Sequence, residues 1–146
     1  MTRHLTAALP PRVLLLETQP FLREIYGQEV RNWAELRDQA ALELVALDDA
    51  AAWLAEVARR SATIGIMDVD DLPATGLELY QRVRANPISA DLPLIVLGAR
   101  AGVELVSELC DERLCCLCKP LQFGVLMNTV RVLARDPRAA SPVPSC

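Results

Sequence analysis

The stretch TIGIMDVDDLPATGLE, residues 63–78, decides the architecture. It opens with a short apolar run, Thr63–Met67, breaks at Asp68 into an acid-rich loop, and resumes at Thr75 or Gly76 with Leu77, Tyr80 and Val83 near helical spacing, closed before Pro87. A run too short for a helix, then a loop, then an amphipathic stretch is a strand–loop–helix unit. The run shows no polar alternation, which suits a strand covered on both faces, as in a parallel sheet.

Working outward, the same unit recurs. Val13–Leu16 precedes Phe21–Ala40, which carries Leu22, Ile25, Val30 and Trp33. Leu42–Leu47 precedes a helix that Asp48 or Asp49 can cap and that holds Trp53, Leu54 and Val57. Leu94–Leu97 is followed by Leu105, Val106, Leu109 and Cys110, and Leu114–Cys118 by Val125, Leu126, Val130 and Leu133. Strands alternating with helices, joined by right-handed crossovers, predict an α/β fold: (βα)5, a doubly wound five-stranded parallel sheet in the order 2-1-3-4-5, the flavodoxin-like arrangement. Residues 1–11 read as an N-terminal tail, 12–135 as the domain, and 136–146, rich in Pro, Ala and Ser, as a tail or a linker to a further part of a longer protein.

Composition removes whole classes of function. The 146 residues suffice for one domain, and 52% hydrophobic residues supply a core that a disordered chain would lack. A net charge of −4 argues against a protein whose task is to grip a phosphate backbone, so no direct nucleic-acid contact is expected. The one histidine, His4, stands in the N-terminal tail, which removes Ser-His-Asp hydrolysis and multi-histidine metal sites. Arg12, Glu17 and Pro20 interrupt the longest apolar candidate for a membrane span, and Arg12 with two prolines spoils a signal peptide. The chain reads as cytoplasmic and not membrane-bound. Cysteines at 110, 115, 116, 118 and 146 include a formal C-x-x-C with no second pair, and the strand context favours small buried hydrophobes over a zinc or redox motif.

In such a sheet, ligands bind beyond the carboxyl ends of the strands, so the informative residues follow each apolar run. The first run ends in Glu17-Thr18, the third in Asp68, the fourth in Gly98 and the fifth in Lys119-Pro120. Fourteen of the fifteen basic residues are arginine, and the sole lysine falls at this edge. Acids after strands one and three with a lysine after strand five form a layout for holding a divalent cation between carboxylates while an ammonium steadies a phosphoryl group.

With these residues in place, the chain from Arg12 to Arg135 resembles the receiver domain of two-component response regulators. The stretch Ile66–Glu78 is similar to the phosphoacceptor strand and its loop, with Asp68 at the acceptor position. Pro93–Ala99 resembles the fourth strand, and Lys119-Pro120 resembles the lysine and following proline that usually join through a cis peptide bond in this family. The resemblance implies a signalling module, not an enzyme. A phosphoryl group would pass from a kinase histidine to Asp68, Lys119 would contact its oxygens, and Mg2+ would be held by the acid ending strand one, Glu17, and by Asp68 itself; apart from the resemblance, Asp70, two residues past the acceptor, is placed to add its main-chain carbonyl, and its carboxylate, as a further metal ligand. The face built from helix four, strand five and helix five would then shift.

The sequence departs from that pattern at the switch positions. Thr18 replaces the second acid after strand one, so Mg2+ should bind weakly; Gly98 replaces the hydroxyl residue that ends strand four; and Cys116 replaces an aromatic residue that swings inward on activation. The loop proline, Pro73, comes one position late. These departures point to an atypical receiver, or pseudo-receiver, with a weakened phosphorylation site, acting through protein–protein binding. Its partner would be a histidine kinase or phosphotransfer protein, or a protein bound regardless of phosphorylation. A symmetric homodimer through helix four, strand five and helix five could pair Glu104, Glu108, Asp111 and Glu112 with Arg131, Arg135 and Arg138. The alternatives are an ordinary phospho-accepting receiver and a small flavodoxin-like ligand-binding protein, the latter disfavoured because Glu17-Thr-Gln-Pro20 contains no glycine for a phosphate loop.

Overall fold

Strand-forming runs and amphipathic helices alternate through the whole described chain. The structure, a computed structural model, describes residues 11–36, 42–59, 62–70, 72, 76–109 and 111–135. The strands are β1 (Arg12–Leu16), β2 (Glu43–Leu47), β3 (Ile64–Asp68), β4 (Leu94–Gly98) and β5 (Leu114–Cys118). The helices are α1 (Pro20–Leu36), α2 (Ala50–Arg59), α3 (Gly76–Ala85), α4 (Arg100–Ser107) and α5 (Phe123–Arg135). All strand pairs are parallel and the order is β2-β1-β3-β4-β5, the flavodoxin-like sheet predicted from the alternation.

Side chains divide between the two faces with the strand period of two. Leu14, Leu16, Met67, Leu94, Val96, Leu114 and Cys116 face Trp53 and Val57 of α2, Leu79 and Val83 of α3, and Val103 and Val106 of α4. Val13, Leu15, Ile64, Ile66, Ile95, Leu97 and Leu117 face Tyr26 of α1 and Leu126, Val130 and Leu133 of α5. Covering on both sides explains why β1, β3 and β4 are buried along their full length, whereas edge strand β2 is only partly covered. Trp53 is fully buried, its indole N–H donating to the Leu14 carbonyl at 3.0 Å, while Trp33 is half-buried. A side chain at Gly65 would have to begin 3.1 Å from the Trp53 ring, so glycine lets that ring lie against the sheet.

Three details differ from the sequence expectation. Helix α4 starts at Arg100 and seats Val103 and Val106 in the core, leaving Leu105 and Leu109 exposed, at 58% and 40%. Apolar residues lie on both sides of this short helix, so hydrophobicity alone could not say which side packs. Val125, read as a core position of α5, is likewise exposed, and Met127 is buried in its stead. Finally, Cys118 is disulfide-bonded and so more than a core filler, whereas Cys116 is a fully buried hydrophobe whose thiol burial, with Cys115 nearby, pushes up to about 12. His4, Pro73, Cys110, Arg138, Cys146 and the expected end of the first helix at residues 37–40 lie outside the described residues.

Candidate functional site

Parallel register brings the strand ends into one line. Leu16 stands beside Met67, Asp68 beside Leu97, and Gly98 beside Cys118, so Glu17, Asp68, Gly98 and Lys119 meet at the carboxyl edge of the three central strands and β5. Glu17 and Asp68 are buried, at 2% and 1% exposure, two acids in a part of the molecule that normally excludes charge. Lys119 Nζ lies 2.7 Å from Asp68 Oδ2 and 2.9 Å from Asp70 Oδ2, forming ion pairs with both. The Asp70 amide donates to Asp68 Oδ1 at 3.1 Å and fixes the turn that leaves β3.

The charges are unevenly compensated. Lys119 is held protonated, because although burial opposes its charge, Asp68 and Asp70 together outweigh that cost. Glu17 is pushed up to about 7, first by burial and then by the adjoining Asp68 carboxyl and its negative charge, against weaker opposing help from the Gln19 amide and Lys119. The Gln19 amide reaches Glu17 Oε2 at 3.3 Å, while Glu17 Oε1 and Thr18 Oγ1 are buried with no hydrogen-bond partner. Arg23 braces this corner by donating to the Glu17 and Thr18 carbonyls at 2.9 and 3.1 Å.

The residues expected to bind a cation divide into two groups. The Glu17 and Asp68 carboxyls crowd together, whereas the Asp70 carboxylate is engaged by Lys119 and by the Ala99 amide, which donates to its Oδ1 at 3.0 Å. Among the described residues, no three His, Cys, Asp or Glu side chains gather as a metal site. Two crowded carboxyls with an orphaned oxygen fit a hard, oxygen-seeking cation such as Mg2+, held by fewer charged ligands than three acids would provide.

Gly98 is one of the positions that the sequence reading took as altered switch residues. Gly98 ends β4, and a Cβ there would meet Val69 Cγ2 at 2.8 Å and Asp70 Oδ1 at 3.1 Å, so no room is left for a hydroxyl-bearing side chain. Val69 also lies against Gly76, where a Cβ would meet its Cγ1 at 2.7 Å. The peptide bond between Lys119 and Pro120 is cis. A cavity of about 500 Å3 opens beside Lys119, between Arg100, Pro120 and Val125.

Sequence reading missed Val69, Ala99 and Arg23. Ala99 acts through its own amide, Arg23 donates to main-chain carbonyls that carry no sequence signature, and Val69 acts by shape. Two acids assigned to a dimer surface are used within the chain: Glu104 pairs with Arg100 at 2.8 Å, and Asp111 binds Arg84 Nε at 2.7 Å and accepts from the Tyr80 hydroxyl at 2.6 Å.

No family model and no curated protein matches the sequence. Solved structures do share its fold. The chain is similar to the chemotaxis response regulator CheY4 of Vibrio cholerae at 18% identity and a TM-score of 0.68, covering 85% of this chain and 98% of that one. A response regulator receiver protein from Sinorhizobium medicae has 15% identity and a TM-score of 0.70, with 88% and 98% covered. An adenylate cyclase from Rhodopirellula baltica has 18% identity and a TM-score of 0.69, with 88% and 90% covered. The structural neighbours are thus predominantly response regulator receiver domains, and the shared property is the fold, which by itself assigns no activity. No described helix is long and apolar enough to cross a membrane.

Proposed function

We propose that the chain is an atypical receiver module of a two-component phosphorelay, a non-enzymatic phosphoprotein of the cytoplasm with a weakened site at Asp68. The observation that carries this reading is the buried Asp68 carboxylate, paired with the chain's sole lysine at 2.7 Å beyond the strand ends of a β2-β1-β3-β4-β5 sheet. An Asp68 oxygen would take the phosphoryl group from the phosphohistidine of a kinase or phosphotransfer protein, forming an acyl phosphate as the P–N bond breaks. Lys119 then neutralises charge on the phosphoryl oxygens.

Glu17 and Asp68, with the main-chain carbonyl of Asp70, would hold Mg2+. When bound, the cation supplies charge neutralisation between carboxylate and phosphoryl oxygens. Thr18 contributes no charge, which weakens this hold relative to a site with three acids. Output runs through protein binding at the face of α4, β5 and α5, where Leu105, Val125 and Val132 are exposed; a homodimer or a phosphorylation-independent partner would use this same face.

The test is intact-mass and peptide mass spectrometry after incubation with a small-molecule phosphodonor and Mg2+. The expected result is slow formation of one adduct, mapped to Asp68 and absent from Asp68→Asn. No adduct in the wild type, or one that persists in Asp68→Asn, overturns the phosphorelay reading.

A further inference from the structure

The strongest anchors at the β4–α4 junction already have an occupant. Lys119 Nζ, 2.9 Å away, and the Ala99 amide, 3.0 Å away, engage the two oxygens of one carboxylate, that of Asp70. Ala99 is the N-cap residue of α4, so its own N–H lies ahead of the helix's internal hydrogen bonds and takes a partner from outside the helix. Asp70 Oδ1 lies 3.1 Å from where a side chain at Gly98 would begin, and Val69 Cγ2 lies 2.8 Å from it. The space above the end of β4 is therefore filled, by two consecutive residues of the β3–α3 connection.

We propose that Asp70 is an internal anion, a resident carboxylate that occupies the oxyanion site formed by Lys119 Nζ and the Ala99 N–H and holds the start of α4 in one state. An external oxyanion, whether a phosphoryl group or a free phosphate, reaches the Ala99 N–H only by displacing Asp70. The site takes a tetrahedral oxyanion because it offers an ammonium and an amide donor to separate oxygens, the arrangement that Asp70 satisfies with its own two. The missing hydroxyl at Gly98 and the inward acid at Asp70 then belong to one arrangement, in which a fixed charge replaces a conditional one.

This inference deepens the proposed function, but its test needs no phosphorylation. Inorganic phosphate is titrated into the 15N-labelled full chain, comparing Asp68→Asn with Asp68→Asn/Asp70→Ala. The shared Asp68→Asn change removes repulsion between the acceptor carboxylate and the probe. The double variant is expected to bind phosphate about ten-fold more tightly, a difference of about 1.4 kcal/mol, with saturating shifts at the Ala99 and Lys119 amides. Should the alanine variant fail to fold, Asp68→Asn/Asp70→Asn, which keeps an acceptor for Ala99 but loses the charge facing Lys119, must still bind phosphate several-fold more tightly than Asp68→Asn. Equal affinities, or binding that leaves the Ala99 amide unmoved, overturn the proposal. As no phosphodonor is present, that outcome leaves the phosphorelay reading to its own test.

Discussion

A Cβ added to Gly98 would stand 3.1 Å from Asp70 Oδ1, so the end of β4 and the loop after β3 share one volume. Val69 Cγ2 is nearer still, at 2.8 Å, and a β-branched side chain has little freedom to retreat. Gly98→Ser should therefore destabilise the fold by about 1–3 kcal/mol through overpacking. Val69→Ala in the same chain should recover part of that loss. Urea unfolding of the single and double variants reads both effects, and a Gly98→Ser chain as stable as wild type would show that the volume is free.

Glu17 predicts an inverted pH dependence. Its folded value of about 7 lies above the ordinary 4.5, so between these values the folded chain binds more protons than the unfolded chain and stability falls as pH rises, levelling above about 7. Asp70 and Asp111 are shifted the other way; their contributions are lost only as pH falls below the ordinary carboxylate range, outside this window. In magnesium-free buffer, Glu17→Gln should abolish the slope and stabilise the chain at about pH 8 by on the order of 2 kcal/mol. Denaturant melts across the range check this, and an unchanged slope in the variant would assign it to other groups.

For the cation, Thr18→Asp should strengthen Mg2+ binding, because it supplies a third charge where Thr18 Oγ1 is now buried without a partner. NMR shifts or tryptophan fluorescence measured over a Mg2+ titration of both proteins decide the point. Equal affinities would remove the argument that Thr18 weakens the site.

Asp111 joins the start of β5 to α3 through Arg84, whose guanidinium also donates to the Leu92 carbonyl at 2.6 Å and lies 5.4 Å from the Tyr80 ring centre. Asp111→Ala strands a largely buried guanidinium and a phenol, and should cost about 1–3 kcal/mol. Thermal and urea melts measure it; a loss no larger than that of an exposed acid such as Glu104→Ala would show the network to be solvated.

The fold was legible because the central strands are covered on both faces and so appear in the sequence as continuous apolar runs. The line of Glu17, Asp68, Gly98 and Lys119 was legible because parallel strands end in register. What escaped was direction and shape. Asp70 could be read as a loop acid near the site, but only the β4–α4 junction shows its carboxylate bound to an amide at Ala99. Leu105 looked like core because nothing in an eight-residue helix tells one apolar side from the other, and Leu109 because the helical spacing was carried past Ser107, where the helix ends. Asp111 seemed part of a surface patch, since its partners, Tyr80 and Arg84, belong to a helix about thirty positions earlier.

The central claim is that Asp68 accepts a phosphoryl group without resetting α4, β5 and α5. A modification shifts a two-state equilibrium only through contacts that differ between the states, and here Gly98 has no hydroxyl, Cys116 has no ring, and Ala99 is already bound by Asp70. The direct measurement compares 1H–15N spectra and self-association of wild type and Asp68→Asn, each with and without phosphodonor and Mg2+. Shifts confined to Asp68, Lys119 and their immediate neighbours, with association unchanged, are the predicted result. Shifts spreading across α4, β5 and α5, or a several-fold donor-dependent change in association seen only in wild type, would contradict it.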